Sequence, residues 1–164
     1  MANKVEQQLT EDLLPLLQKE RYVTIATVDY ETNVPNVNAI SWVFAPDSKR
    51  VCFAIDNRSR IVENIKKNHG MTMTVIGSGS TYSISGKASI KAEKLEGVPL
   101  KLALIELSID EIRDVMFYGA RISTEPSYEK TYDAEAAAKL DKQVMDAIKK
   151  LKPGGLLVWL FLFF

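Results

Sequence analysis

The residues with the clearest chemical potential stand together in one turn, DNRSR, which begins at Asp56. Asp56, Asn57 and Ser59 are residue types that cap helices, because their side-chain oxygens accept hydrogen bonds from unpaired first-turn amides. Arg58 and Arg60 stand at the positive end of the helix macrodipole, where a cation is disfavoured by roughly 0.3–1 kcal/mol. A phosphate group would offset this cost, since it accepts charge-assisted bonds from guanidinium groups and free amides. The turn is therefore a candidate phosphate site.

The two arginines have a second interpretation that involves no ligand. In this interpretation both side chains, Arg58 and Arg60, extend into solvent or pair with nearby acids such as Glu63. Surface ion pairs of this kind are common and contribute little stability. The residue types alone leave both interpretations open.

Composition narrows the classes of partner. The chain has 164 residues, the size of one ordinary domain, and we expect a single domain over residues 1–164. Its 21 basic residues equal its 21 acidic residues, so no overall field attracts nucleic acid or an anionic membrane. Any anion site must be local, and we expect no nucleic-acid partner.

The single cysteine and the first residues indicate the compartment. Cys52 lies in an apolar strand and has no partner for an internal disulfide, which fits the reducing cytoplasm. We expect it to be a small core residue. The segment MANKVEQQLTED lacks the basic-then-apolar order of a secretory signal. We therefore expect a cytoplasmic protein.

The elements that position the turn are mostly short strands. Helices are predicted from Thr10 to about Lys19, over 58–68, and from Ala134 to Pro153 with an apolar stripe that includes Leu151. Strands are predicted over 22–29, 35–45, from Val51, 71–76, 81–91, 100–109 and 115–122. Six or seven strands and three helices predict a mainly β fold, an antiparallel barrel or sandwich with helical additions.

Two glycines have predicted structural roles. Gly70 follows the predicted helix 58–68 and is expected at its C′ position. Gly86 interrupts the clearest alternation of the chain, in which Tyr82, Ile84, Ala88 and Ile90 share one face. An interior glycine of this kind indicates a bulge, a bend at a barrel corner or a close approach to the backbone.

The last residues form an apolar tail, LLVWLFLFF, within the segment 153–164. A helix that spans a membrane needs about 20 such residues, so we expect no membrane span. The favoured interpretation is a strand buried in the core or at a dimer contact. Peripheral membrane contact and a sequence added for expression are the alternatives.

At this point the pattern resembles the pyridoxamine 5′-phosphate oxidase-like family of FMN-binding split β-barrels. The resemblance covers residues 13–95 and rests on VPNVNAISWVFAPDSKRVCF, on SR followed by IVENIKKN, and on SISGKASI. It implies a split β-barrel of antiparallel Greek-key type, a homodimer, FMN as cofactor and a small-molecule substrate.

The resemblance also implies site residues, carried over position by position. Ser59 and Arg60 match the phosphate clamp, with Arg58 as a further cation. The segment Asn38, Ala39, Ile40 and Ser41 matches the strand beside the ring and ribityl chain. Ile55 and Asp56 match the strand end above the phosphate, and Thr81 matches a polar residue that reaches the flavin. Trp42 is expected to fill the core, with the ring edge as the alternative.

The chain departs from the family pattern at three places. Ile61 stands where the clamp continues with lysine, and Asn38 and Ala39 stand where the oxidases have an arginine. The tail lacks the arginine-containing motif that binds the substrate phosphate. We therefore expect FMN to be weakly held and oxidation of pyridoxamine 5′-phosphate to be absent.

Other candidates carry weaker signals. His69 is expected to be an exposed residue or a helix-end cap rather than a base, and no Cys–His spacing predicts a metal site. Tyr118 and Arg121 would approach the flavin of a partner subunit in a family-like dimer, or simply pack in a strand. The polar segment 125–132 is predicted to be a loop.

The resemblance leaves three functions open. The first is an FMN-dependent oxidoreductase acting on a small molecule. The second is a non-enzymatic protein of the same fold that binds flavin or haem. The third is a barrel without cofactor that serves as an interaction module.

Overall fold

The computed structural model describes residues 4–150 of the chain. The elements in chain order are β1 (Val5–Glu6), α1 (Leu13–Leu16), β2 (Val23–Val28), β3 (Pro35–Ile40), β4 (Val43–Asp47), β5 (Arg50–Asp56), α2 (Arg60–Lys67), β6 (Gly70–Gly77), β7 (Ser80–Ala92), β8 (Leu102–Asp114) and α3 (Ala134–Lys150).

The strands form one antiparallel sheet in the order β3-β2-β6-β7-β8-β5-β4, with β1 paired to β8. The sheet does not close, because its two edges, β3 and β4, do not pair with each other. Three helices accompany it. The predicted mainly β, split-barrel class is confirmed.

Residues 4–150 contain eight strands, not six or seven, and one segment that was predicted to be a strand is not one. The predicted strand 35–45 is two strands, because the chain turns at Ser41, whose carbonyl accepts hydrogen bonds from the amides of Arg21 and Val43 at 2.9 and 3.0 Å. The segment 115–122 is not a strand, since the ladder of β7 with β8 ends at the pair Tyr82–Asp114.

The predicted role of Gly70 is also wrong. The C-cap of α2 is Asn68 in an extended conformation, and Gly70 is already the first residue of β6. Its amide donates a hydrogen bond to the Asn68 side chain at 2.9 Å. The helix therefore passes directly into a strand without a left-handed residue.

Two apolar clusters stabilise the fold. The larger fills the interior of the rolled sheet and includes Phe53, Ile105 and Leu17, all fully buried. The smaller packs α3 against the outer face of β5 and β8 and includes Cys52, Leu104, Val144 and Ile148. Strand β5 is consequently buried on both faces from Val51 to Ile55.

Cys52 has the core position that its sequence context predicts. It is buried in the cluster beneath α3. Burial raises the pKa of its thiol to about 12. At neutral pH the group is a protonated, unreactive thiol.

Gly86 marks a bulge, one of the roles that its position predicts. The register of β7 against β8 shifts between Ser85 and Gly86. A Cβ atom at Gly86 would lie 1.9 Å from the carbonyl oxygen of Ser108. The close approach of two backbones therefore requires glycine at this position.

The expectations for Leu151 and for the apolar tail 153–164 fall outside the described residues. Among residues 4–150, no helix combines the length and apolar character that crossing a membrane requires.

Candidate functional site

A cleft of about 320 Å³ opens where the chain leaves β3 and where β5 leads into α2. Its walls contain seven of the ten predicted site residues: Asn38, Ala39, Ile40, Ser41, Ile55, Asp56 and Ser59. Three further residues, Trp42, Ala54 and Ile61, complete the lining. The fold thus brings together two segments, 38–42 and 54–61, that are at least 12 positions apart in sequence.

The first wall comes from edge strand β3 and the residues after it. Strand β3 pairs with β2, with Asn38 opposite Ile25 and Ile40 opposite Val23. Because opposed residues lie on the same face of a sheet, Asn38 and Ile40 share the core-facing side with those buried residues. Among residues 4–150 this edge has no second neighbouring strand, and side chains of β3 line an open cleft.

The second wall comes from the end of β5. The Ala54 amide donates a hydrogen bond to the Trp42 carbonyl at 3.1 Å, which joins the two walls. The turn after β5 is fixed by Asp56, whose side chain accepts a hydrogen bond from the Arg58 amide at 2.8 Å. Asn57 anchors the turn to the Lys101 carbonyl at 3.0 Å and to the Glu93 carbonyl at 3.1 Å.

Ser59 is the N-cap residue of α2 but does not cap it with its side chain. Its backbone is extended, as an N-cap requires, and its Oγ makes no capping hydrogen bond. That oxygen is buried and has no hydrogen-bond partner among residues 4–150. Because a buried polar atom normally has a partner, this hydroxyl at the positive end of the helix is a candidate ligand-binding group.

Arg60 is held on a different group. Its Nε lies 2.5 Å from Oδ2 of Asp29, and its Nη2 lies 3.1 Å from Oδ1. Glu31 is 3.6 Å away, and the guanidinium lies 4.8 Å from the centroid of the Tyr30 ring. Asp29 is only 3% exposed, so this is a bidentate pair with a buried carboxylate.

The pair moves the pKa of each partner further from neutral pH. Hydrogen bonds from Arg60 and from the Thr32 and Glu31 amides hold the pKa of Asp29 well below its ordinary value, although burial opposes them. The hydrogen bond to Asp29 raises the pKa of Arg60. At physiological pH both groups are charged.

Arg58 extends into solvent. Its side chain is 81% exposed and approaches Asp56 only to 3.7 Å. Glu63, the predicted alternative partner of the arginines, lies 3.7 Å from Lys66 instead. Neither Arg58 nor Arg60 is among the residues that line the cleft. Arg58 is thus solvated, as the second interpretation predicts. Arg60 pairs with Asp29 and Glu31, not with Glu63.

A buried amide on α2 holds the helix against β2 and β3. Asn64 is fully buried and donates hydrogen bonds to Thr27 at 2.9 Å and to Asn36 at 3.0 Å. Its Oδ1 accepts a hydrogen bond from the Tyr30 amide at 2.8 Å. Sequence reasoning missed Asn64, although a polar residue on the apolar side of a short helix is a recognisable signal.

Thr81 does not share the cleft. It is the second residue of β7, next to Tyr82, which pairs with Asp114, whereas Asp56 pairs with Leu102. These are opposite ends of β8. Within one copy of the chain, Thr81 is therefore remote from the other predicted site residues.

Trp42 lines the cleft, whereas sequence reasoning favoured core filling. The indole contacts the smaller apolar cluster, and its Nε1 donates a hydrogen bond to Oδ1 of Asp141 on α3 at 2.9 Å. The core-filling role therefore holds in part, and the role at the ring edge stays a prediction. Asp141 had no signal in the sequence, because it is 99 positions away and its helix has many charged residues.

Titratable and metal-binding groups are sparse at the site. Asp56 is the one carboxylate among the residues that line the cleft. His69 is exposed just after α2 and does not belong to the lining. Among residues 4–150, no group of three or more His, Cys, Asp or Glu side chains is placed to hold a metal ion.

Comparison with solved structures supports the fold. A protein from Lactobacillus delbrueckii named for the pyridoxamine 5′-phosphate oxidases has a TM-score of 0.57 and 19% identity, over 68% of this chain and 98% of that one. HupZ from Group A Streptococcus has a TM-score of 0.55 and 18% identity, over 70% and 99%. An F420 reductase has a TM-score of 0.51 and 21% identity, over 60% and 93%. These identities establish a shared fold only.

The family comparison covers the sheet and the cleft together. No match is found among curated proteins. The family model described as pyridoxamine 5′-phosphate oxidase matches residues 9–116, which include all ten predicted site residues. The chain therefore belongs to the pyridoxamine 5′-phosphate oxidase family.

Proposed function

We propose that the chain binds FMN in the cleft and is an oxidoreductase that acts on a small molecule. The observation that carries the proposal is Ser59, which lines the cleft at the N-terminus of α2 and whose buried hydroxyl has no partner among residues 4–150. A phosphate oxygen placed there accepts a hydrogen bond from this hydroxyl and from first-turn amides.

The charges around this point favour modest affinity. Arg60 already pairs with Asp29 and lies near Glu31, so much of its charge is compensated. Arg58 is solvent-exposed and free to turn towards a phosphate, but Asp56 in the lining repels a dianion. Ser59 and the helix amides therefore provide the main local attraction, and we expect weak FMN binding.

The rest of the cleft suits an elongated planar ligand. Its volume falls in the range of small-molecule pockets, roughly 300–1,000 Å³. Ile40, Ala54, Ile55 and Ile61 provide apolar walls, and Asn38 and Ser41 offer hydrogen bonds. Bound FMN would supply the redox chemistry, and the chain's residues would hold and orient it.

A homodimer in the cytoplasm would complete the site. Strand β3 is an edge whose Val37 is 66% exposed, and Tyr118 beyond β8 is 99% exposed. Exposed apolar residues of this kind favour a protein contact. In a symmetric pair, Thr81, Tyr118 and Arg121 of one copy would approach the cleft of the other.

Paired titrations with FMN and riboflavin test the phosphate position, because riboflavin lacks the phosphate. We expect Ser59→Ala to weaken FMN binding about tenfold, which equals about 1.4 kcal/mol, and to leave riboflavin binding unchanged. The matched control is Ser108→Ala, on the exposed side of β8. Equal FMN affinity in wild type and Ser59→Ala, or equal loss for both ligands, contradicts the proposed position.

The same preparations separate enzyme from binder. Bleaching of the flavin absorption by a reduced pyridine nucleotide supports the oxidoreductase. Stable flavin colour without turnover supports a non-enzymatic flavin-binding protein. Binding of haem in place of flavin supports a non-enzymatic haem-binding protein. Failure of wild type to bind FMN at millimolar concentration rejects the proposal.

A further inference from the structure

A chain of polar contacts leads from the cleft to α3 and to the loop before it. Oδ1 of Asp141 accepts a hydrogen bond from Trp42 Nε1 at 2.9 Å and lies 3.1 Å from Lys130 Nζ. The same ammonium lies 2.8 Å from Oε1 of Glu20, which also accepts a hydrogen bond from the Tyr128 hydroxyl at 2.8 Å. Each group in this chain has a specific partner.

The three charged groups of this chain are partly sheltered from water, whereas Tyr128 is 47% exposed. The side chains of Asp141, Glu20 and Lys130 retain only 17%, 20% and 27% of their exposure. Burial and the hydrogen bond to Glu20 raise the pKa of Tyr128 to about 12, so it remains a donor. Sheltered charge-assisted hydrogen bonds are stronger and more directional than those at an open surface.

The indole is the link to ligand binding. Trp42 lines the cleft beside Ser41 and Ile55, and its other side packs on the smaller apolar cluster. A single N–H at the ring edge, held by a carboxylate, fixes the rotation of the ring that packing alone leaves adjustable. A fixed aromatic wall loses less conformational freedom when a planar ligand stacks on it.

We propose that Asp141 is a positioning residue that holds Trp42 as an aromatic wall for the planar ring of the ligand, and that Lys130 and Glu20 hold Asp141 in place. The inference rests on the proposed function, since the planar ring is that of the flavin. It adds that α3, which lies beyond the matched residues 9–116, takes part in binding.

Tryptophan emission and flavin affinity test the inference together. Trp42 and Trp159 are the two tryptophans of the chain, so a full-length Trp159→Phe background reports on Trp42 alone. In that background, Asp141→Ala is expected to shift the emission to longer wavelength and to increase acrylamide quenching. FMN and riboflavin affinities should both fall about three- to tenfold, because the ring contact is common to both ligands.

Two variants separate positioning from general loss of structure. Asp146→Ala removes an aspartate on the same helix that pairs with Lys142 at 2.7 Å, so it is the matched control and should change neither readout. Asp141→Asn keeps an acceptor for the indole N–H and is expected to restore most of the affinity. If Asp141→Ala does not fold, Asp141→Asn and Lys130→Met replace it in the test. Lys130→Met is then expected to lower flavin affinity more than Asp141→Asn does.

The outcomes distinguish this inference from the proposed function. If wild type binds flavin and Asp141→Ala binds it equally well, the positioning role is overturned and the proposed function stands. A loss in Asp146→Ala equal to that in Asp141→Ala also overturns it. If wild type binds neither flavin, both fail together.

Discussion

At the scale of single residues, Ser59 and Arg60 lie in different environments, since Ser59 lines the cleft and Arg60 does not. Sequence reasoning assigned both to one phosphate clamp. In the structure the Ser59 hydroxyl has no partner among the described residues, whereas the Arg60 guanidinium is taken by Asp29. Asp29 is 31 positions away from Arg60, so adjacency in sequence gave no signal of the pair. Arg60 thus anchors the start of α2 to the turn after β2.

The Asp29–Arg60 pair predicts a pH dependence of stability. Because the folded state lowers the pKa of Asp29, the pair contributes its full stability above the unfolded pKa of about 4 and loses it as pH falls further. Urea unfolding at pH 7, 5 and 3 should therefore show wild type losing stability mainly below pH 5. Asp29→Asn should be less stable at pH 7 and lose less between pH 5 and pH 3.

The control for this prediction is Asp110→Asn. Asp110 is exposed on β8 and has no ion pair among residues 4–150. Its pH profile should follow that of wild type. Parallel profiles for wild type and Asp29→Asn would show that the pair does not carry the acid sensitivity.

At the scale of elements, the bulge between β7 and β8 requires glycine at position 86. A side chain at position 86 would collide with the backbone of β8, and backbone atoms cannot rotate away as a side chain can. Gly86→Ala is therefore expected to destabilise the fold by about 2 kcal/mol or more, measured by urea unfolding.

Gly70→Ala is the comparison for this prediction. Its nearest neighbour would be a side-chain atom of Asn68 at 3.2 Å, which has room to adjust. We expect it to cost less than about 1 kcal/mol. A loss in Gly86→Ala no greater than that in Gly70→Ala would mean that the bulge tolerates a side chain.

Much of the secondary structure was predictable, and the exceptions have physical causes. Alternation predicted β7, and an apolar run predicted most of β8, because period-two patterns reflect one buried face. The break between β3 and β4 was missed, since NAISWVFA contains neither glycine nor proline. The segment 115–122 has a strand-like composition, but Val115, Phe117 and Tyr118 are exposed, and no strand within the described part of the chain pairs with it.

Most residues that line the cleft were predictable, but the contribution of α3 and the position of Thr81 were not. Seven of its residues follow from two short segments that the family resemblance places side by side. The contribution of α3 was not predictable, because a single contact between Trp42 and Asp141 leaves no periodic trace. The position of Thr81 depends on which end of β8 it meets, and only the strand register decides that.

At the scale of the whole molecule, the open sheet creates the site. The chain passes from one sheet edge, β3, to the other, β4, through Ser41 and Trp42, and the cleft lies beside this crossing. A closed barrel would have no such gap, because every strand would have two neighbours. The family match extends over this sheet from β2 to β8, whereas α3 packs on its outer face.

A crystal structure of the full chain grown with saturating FMN tests the central claim most directly. The account predicts the phosphate within hydrogen-bond distance of Ser59 Oγ and the first-turn amides of α2, with the ring along Asn38–Ser41 and against Trp42. It also predicts a second copy that brings its Tyr118 end to the cleft. Flavin bound elsewhere, such as in the cavity of about 490 Å³ beside Lys87 and Asp110, or a cleft that holds only water, would contradict it.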